Sequence, residues 1–393
     1  MTANYLSDSK AGSKPISGLK LMPPIVTIKE ALMLYQLLAK IKSKIGRLNA
    51  ELSHSLVNQS LIQLLTFHES VESTRIEGTH VTFSDFVKET GKPRKRKEVV
   101  EVENYKRALD LGIELIQAGN PISTRLIKQI HAVLMRAGTR GTTAANGEYR
   151  RIQNFIGPDD NIEHDVYVPV PAQAIADYMT NLEFYQNGRS HQSFSDAEVE
   201  EGEVLLDEKC DPLIKTAVLH AQFESIHPFL DGNGRVGRIL IVLSTMSDEL
   251  LNHPVFFVSE ALEKERLRYY KYLNGVRGNK PDWYSWIRFF LEKSEEMADS
   301  LLVKLDKASR HYQRGLKTIL KSAATTERTK ALWSLSIRQP ILTAEIVSAE
   351  LNMTKKTANK HLQLLVELEL LDAGYNPNNC RVFVNYDLIR AID

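Results

Sequence analysis

The sequence predicts a mainly α-helical fold: a helical core with one small β-hairpin, a helical N-terminal domain before it and a winged-helix domain after it. Three observations carry that expectation. Apolar residues recur at helical spacing through most of the 393 residues. Before Thr325, short β-type pieces surrounded by Gly, Asn, Asp and Pro occur within Gly141–Pro171. After Thr325 the pattern becomes helix, turn, helix and strand pair.

Taken in order, helical spacing runs from Thr27 to Phe67, with Leu32, Leu34, Leu37, Leu38 and Ile41 on one face, and again from Leu56 to Ile76, breaking at Gly78. Lys92–Lys97 is a basic connector. Helices resume at Val99–Ala118 and Ser123–Met135. The pieces Ile152–Ile156 and Asp165–Val168, separated by the turn Gly157–Asn161, form the hairpin. Helix returns at Pro171–Tyr185, and the acidic run 191–211 is a surface insertion. Asp211-Pro212 starts a helix, with a carboxylate N-cap and proline in the first turn. That helix must stop near His227, because the residue before a proline is pushed out of the α region. Arg235–Met246 is strongly apolar and is the expected central buried helix; Leu262–Leu273 and Trp283–Ile319 follow. The expected divisions are a disordered tail over 1–20, a helical N-terminal domain over 21–105, a core domain over 106–320 and the winged helix over 325–393.

Lys plus Arg number 50 and Asp plus Glu 49, a net charge of +1, which argues against nucleic-acid binding by the chain as a whole. The two cysteines, Cys210 and Cys380, have no His or Cys close by, so neither a disulfide framework nor a zinc site is expected. Residues 1–20 lack the apolar core of a signal peptide. The longest aliphatic run, Ile239–Leu243, is far too short to cross a bilayer. A cytoplasmic protein without membrane contact is the expectation.

The run His227-Pro-Phe-Leu-Asp-Gly-Asn-Gly-Arg-Val-Gly-Arg238 concentrates the chemistry. Gly232-Asn233-Gly234 adopts left-handed conformations at little cost and turns successive N–H groups into one concavity, an anion nest. It opens a helix whose dipole and free amides also favour phosphate. Arg235 and Arg238, three apart, share a face of that helix and can fork onto phosphate oxygens. Asp231 can hold a Mg²⁺ shared with the phosphates. His227, with an unperturbed pKa of about 6.5, can accept a proton. Phe229 points into the core. No Gly-Lys-Ser/Thr follows, so this is not a Walker A loop.

At every defined position these twelve residues resemble the signature of the Fic (filamentation induced by cAMP) family, His-Pro-Phe-x-Asp/Glu-Gly-Asn-Gly-Arg-x-x-Arg. The resemblance implies transfer of AMP from ATP to a Ser, Thr or Tyr hydroxyl of a target protein and of the enzyme itself. It makes His227 the base, Asp231 the ligand of Mg²⁺ or Mn²⁺, and Gly232, Asn233 and Gly234 the phosphate cradle. Phe229 belongs to the same nucleotide site, and Arg235 and Arg238 grip the leaving pyrophosphate. The hairpin at Ile156-Gly157 resembles the family's flap, which pairs by strand addition with an extended target segment. Tyr269-Tyr270 lies where family members contact adenosine; a tyrosine pair on a helix is also often only core.

Ser73-Thr-Arg-Ile-Glu77-Gly78 matches the family's inhibitory motif. By that resemblance Glu77 reaches Arg238 and occupies the fork meant for the γ-phosphate, while Ser73 anchors the end of the inhibitory helix. In some relatives the same glutamate positions water to remove AMP. Other family members move a different phosphate-containing group, and a nucleotide-sensing DNA-binding regulator is a reading of another class.

In the winged helix, Lys355, Lys356, Asn359, Lys360 and Gln363 are expected on the exposed face, with Ala358, Leu362, Leu365 and Val366 inward. Such a face suits DNA phosphates. The fold serves equally for docking to protein, and a homodimer stays open.

Overall fold

The computed structural model describes residues 15–53, 58–82, 89, 95–136, 146–157, 166–189, 199–323, 326–375 and 380–392. In chain order the elements are β1 (Ile16–Ser17), β2 (Ile25–Thr27), α1 (Ile28–Ser53), α2 (Asn58–Ile76), α3 (Lys97–Gln117), α4 (Thr124–Leu134) and β3 (Tyr167–Val168). Then come α5 (Ile175–Gln186), β4 (Glu203–Leu205), α6 (Pro212–Ile226), α7 (Asn233–Ser247), α8 (Ser259–Lys264), α9 (Arg266–Gly275) and α10 (Trp283–Lys321). The C-terminal elements are α11 (Glu327–Arg338), β5 (Ile341–Leu342), α12 (Ala344–Glu350), α13 (Lys355–Glu367), β6 (Asp372–Tyr375), β7 (Arg381–Val384) and α14 (Tyr386–Ile392). The fold is mainly α, as the sequence predicts.

Two compact units result. The first takes in the described parts of Met1–Gly46, Glu69–Val81 and Arg94–Met297; the second those of Arg47–His68, Thr82–Pro93 and Ala298–Asp393. The expected boundary between 105 and 106 is therefore not where the chain divides. The end of α2 belongs with the core because its side chains bond to α7: Arg238 Nε donates to Ser73 Oγ at 2.8 Å.

In the first unit α6 and α7 are the interior. Every residue from Leu213 to Ile226 is buried, as is every residue from Arg235 to Thr245. Asp211 caps α6 by accepting from Leu213 N at 2.9 Å, with proline in the first turn as expected. The two helices approach closely because position 237 is glycine: a Cβ there would lie 2.2 Å from Glu224 Oε1 and 3.2 Å from His220 Cε1. Trp286 of α10 donates to Ala217 O at 2.8 Å.

Strand pairing goes beyond the expected organisation and corrects one part of it. Residues 15–20 are not a loose tail: β1 pairs in parallel with β3, Gly278 N donates to Gly18 O at 2.9 Å, and Leu19 is buried. The acidic insertion ends in structure, since β4 pairs antiparallel with β2. Among the described residues the two pieces of the hairpin meet in an antiparallel bridge, Ile156 with Tyr167, and β3 also pairs with β1. Backbone polar groups at a sheet edge gain by pairing, and β1 supplies the partner strand. The rest of the expected tail (1–14), of the basic connector (92–94), of the turn after Gly157 and of the acidic run (191–198) lies outside the described residues.

In the second unit α12 and α13 stand where a helix, a turn and a second helix were expected, and β6 and β7 form the strand pair with β5 on the other edge of β7. Ala358, Leu362 and Leu365 are buried and Val366 half-buried, while Lys355, Lys356, Asn359 and Lys360 are exposed. Lys355 pairs with Glu345 at 3.0 Å, and Gln363 accepts from Arg381 at 2.6 Å. Among the described residues no helix is long and apolar enough to cross a membrane.

Candidate active site

His227 sits at the C-terminal end of α6 in the left-handed conformation, φ 50° and ψ 60°. Its amide still donates to Phe223 O at 3.0 Å, and Pro228 then ends the helix. The ring Nδ1 lies 3.4 Å from Glu224 O. A carbonyl only accepts, so Nδ1 carries the hydrogen and Nε2 keeps its lone pair. Burial, then the cations of Arg277 and Arg150, press the imidazole down to about 3, so it is neutral at physiological pH.

The loop after it is clipped by one side chain. Asn233 Oδ1 accepts from Phe229 N at 2.9 Å, and Asn233 Nδ2 donates to Phe229 O at 2.8 Å. Phe229 is fully buried and stacks on His131, with ring centroids 3.7 Å apart. Asn233 and the Phe229 ring thus hold the loop's shape rather than facing outward. Gly232 takes φ 80°, and Met135 Sδ stands 2.9 Å from where its Cβ would be, so only glycine fits twice over. Gly232 provides no side-chain cap, which leaves the first-turn N–H groups of α7 open to an anion.

His131 supports this turn from below. Its Nδ1 accepts from Gly147 N at 2.9 Å, so its Nε2 donates to Asp231 O at 3.0 Å. Asp231 Oδ1 accepts from Arg235 Nη2 at 3.2 Å and from Gly232 N at 2.5 Å, and its side chain is 41% exposed. Among the described residues no group of three or more His, Cys, Asp or Glu is arranged to hold a metal. One exposed carboxylate beside an open anion nest nonetheless fits Mg²⁺, which prefers one or two carboxylates together with substrate phosphates and water.

Arg238 is 1% exposed and bonded to the end of α2. Its Nε donates to Ser73 Oγ at 2.8 Å, and its Nη2 donates to Ser73 O at 3.0 Å and to Glu77 Oε1 at 2.7 Å. Burial alone would raise the Glu77 carboxyl; Arg238 first, then Arg235, outweigh it and hold the group below the usual carboxylate range. Glu77 lies directly over Gly234, where a Cβ would come within 2.3 Å of Oε1. Gly78, φ 88°, then ends the helix by donating to Arg75 O at 2.9 Å.

Two further carboxyls near Arg238 are held close to neutral. Burial pushes Glu69 up to about 8 and Glu224 up to about 7. Glu224 Oε1 and Arg238 Nη1 are both buried without a hydrogen-bond partner. Glu77 is therefore the ionised carboxylate that answers Arg238.

Tyr269 is core: it is 1% exposed and its hydroxyl donates to His220 Nε2 at 2.8 Å. Tyr270 is half-buried, its ring 5.2 Å from that of Tyr269. Ile156 and Gly157 lie on the short edge that ends in the bridge to Tyr167.

The structure places His227, the loop 229–235, Arg238, Ser73 and Glu77 in one compact unit. Sequence reasoning missed His131, Glu69, Glu224, Arg150 and Arg277, none of which falls in a recognisable spacing.

Residues 121–244 match the Fic/DOC family model, and residues 35–114 match the model of the Fic/DOC family N-terminal region. A probable protein adenylyltransferase of Aquifex aeolicus is 25% identical over 195 residues, 49% of this chain and 52% of that protein. The protein adenylyltransferase Fic of Drosophila grimshawi is 25% identical over 239 residues, 60% of this chain and 43% of that one. The chain spans about half the length of the curated relatives it matches. In fold it resembles a Fic family protein from Desulfovibrio desulfuricans, with a TM-score of 0.54 at 19% identity, covering 93% of this chain and 98% of that one.

Proposed function

Because the chain belongs to the Fic/DOC family, we propose that it is a protein adenylyltransferase restrained by its own Glu77. The substrate is ATP, seated with its phosphates at the open N-terminus of α7. The target is a Ser, Thr or Tyr hydroxyl in an extended segment laid along the edge at Ile156 and Gly157. That hydroxyl oxygen bonds to the α-phosphorus, the bond from α-phosphorus to the bridging oxygen breaks, and pyrophosphate leaves.

His227 Nε2 takes the hydroxyl proton. The neutral tautomer fixed by the contact to Glu224 O supports that role. Arg235 and Arg238 bind the leaving phosphates, where charge builds up. Asp231 would hold Mg²⁺, which supplies further neutralisation of phosphate charge when bound. His131 steadies that aspartate through its carbonyl.

One observation carries the restraint: the 2.7 Å contact between Arg238 and Glu77, stacked over Gly234. With Glu77 there, Arg238 cannot fork onto a γ-phosphate. ATP labelled at the α-phosphate and, separately, at the γ-phosphate tests the reading. Label from the α position alone should enter protein; label from the γ position alone would mean phosphate transfer, and label from neither in a Glu77→Gly variant would end the proposal.

A further inference from the structure

A helix leaves its last carbonyls without helical partners, and buried ones must find others. At the end of α6 two arginines and a tyrosine supply them. Arg277 Nη2 donates to Glu224 O at 3.3 Å, and the Tyr167 hydroxyl donates to Ser225 O at 2.9 Å. Arg150 Nη2 reaches Ile226 O at 3.5 Å, Arg150 Nε donates to His227 O at 2.9 Å, and the Arg150 amide donates to Pro228 O at 2.9 Å. Every carbonyl from Glu224 to Pro228 is thereby held.

Both arginines are buried, Arg150 at 2% and Arg277 at 7% exposure. Their hydrogen bonds go to carbonyl and neutral side-chain oxygens. Arg277 also bonds to Ser225 Oγ at 3.3 Å and Asn274 Oδ1 at 2.6 Å, and lies over the Tyr167 ring at 4.1 Å. Arg150 Nη1 bonds to Ile152 O at 3.0 Å, and Arg150 Nη2 to Val170 O at 2.5 Å. One guanidinium therefore joins three places: the end of α6, the start of the edge that leads to Ile156, and the residues after β3.

We infer that Arg150 and Arg277 are positioning residues for the transfer. They lock the left-handed end of α6, fix the place of the His227 imidazole, and through Arg150 tie it to the target-docking edge. The inference rests on the reading of His227 as the base. A left-handed conformation at a non-glycine residue persists only where its surroundings hold it, and here the brace on both flanking carbonyls does so. Two permanent cations beside the ring also oppose its protonation before the hydroxyl arrives.

The test uses the full chain in a Glu77→Gly background, with Arg150→Lys and Arg150→Met added singly. The His227 ring resonance, assigned by its loss in His227→Ala, is titrated by NMR, and kcat and the KM for ATP are measured on the same samples. Arg150→Met should raise the His227 titration midpoint. It should also lower kcat about 10- to 100-fold, with the KM for ATP within about twofold. Arg150→Lys keeps the charge but loses the fork, so its midpoint should stay near the parent's while kcat still falls. A folded Arg150→Met protein with the parent's midpoint and kcat would make Arg150 a plain helix cap and overturn the inference. If Arg150→Met does not fold, Arg150→Gln, which keeps donors without charge, replaces it. If the parent transfers nothing, the proposed function fails, and the titration still decides whether Arg150 governs His227.

Discussion

Arg238 holds the Glu77 carboxylate at 2.7 Å, directly above Gly234 at the mouth of the anion nest. The cation that would meet a γ-phosphate and the turn that would cradle it are thus covered by one side chain. Glu69 and Glu224, at about 8 and about 7, do not offer a full negative charge in its place at neutral pH. The proposed restraint is local and electrostatic, and a single substitution should remove it.

Glu77→Gly should raise self-modification strongly. Holding 99% of molecules in the covered state requires about 2.7 kcal/mol, within reach of one partly buried Arg–carboxylate pair. The initial rate of incorporation from α-labelled ATP should therefore rise by up to about 100-fold. An unchanged rate in a folded variant would show that Glu77 restrains nothing.

Ser73→Ala should act more weakly and in two ways. Arg238 Nε loses its acceptor while the contacts to Ser73 O and Glu77 remain. An unpaired buried donor costs about 1–3 kcal/mol, so the melting temperature should fall. Transfer should rise by less than in Glu77→Gly, because the carboxylate still covers the nest. A larger rise than in Glu77→Gly would assign the restraint to Ser73 instead.

Glu69 should contribute stability that is lost as pH rises from about 5 to about 8. Burial raises Glu69 to about 8, opposed by hydrogen bonds from Ser259 and from Tyr105 at 3.3 Å. Between the ordinary carboxylate pKa and about 8 the folded protein binds a proton that the unfolded chain has released. By linkage, stability is lost with rising pH across that window. Melting curves across pH should show the parent losing stability relative to Glu69→Gln as pH rises through that window; parallel curves would remove Glu69 as a source.

Gly237→Ala should destabilise the core. A methyl there would meet Glu224 Oε1 at 2.2 Å and His220 Cε1 at 3.2 Å, between two fully buried helices. Overpacking of this kind costs about 1–3 kcal/mol, to be checked by denaturant unfolding. A neutral result would mean that α6 and α7 can separate without penalty.

The limits of α6 were legible because two strong local signals bracket it, Asp211-Pro212 at the start and His227-Pro228 at the end. The loop was legible because its residue types are chemically distinctive at fixed offsets. Ile16-Ser17 was not, since two residues in a polar stretch carry no period and pair only with the distant Tyr167-Val168. Glu203–Leu205 was hidden the same way by its acidic neighbours. Arg150 looks in sequence like any basic residue beside a turn; its five partners lie as far away as Pro228. Phe229 and Asn233 carry a matching motif, yet packing and hydrogen bonding turn both side chains toward the loop itself.

The central claim is that His227 transfers AMP under restraint by Glu77. Its most direct test is intact-mass measurement of the parent, Glu77→Gly and Glu77→Gly/His227→Ala after incubation with ATP and Mg²⁺. The account predicts added AMP, in whole multiples, mainly in Glu77→Gly, little in the parent and none in the double variant. Equal addition in the single and double variants, or none in any of the three, would contradict it.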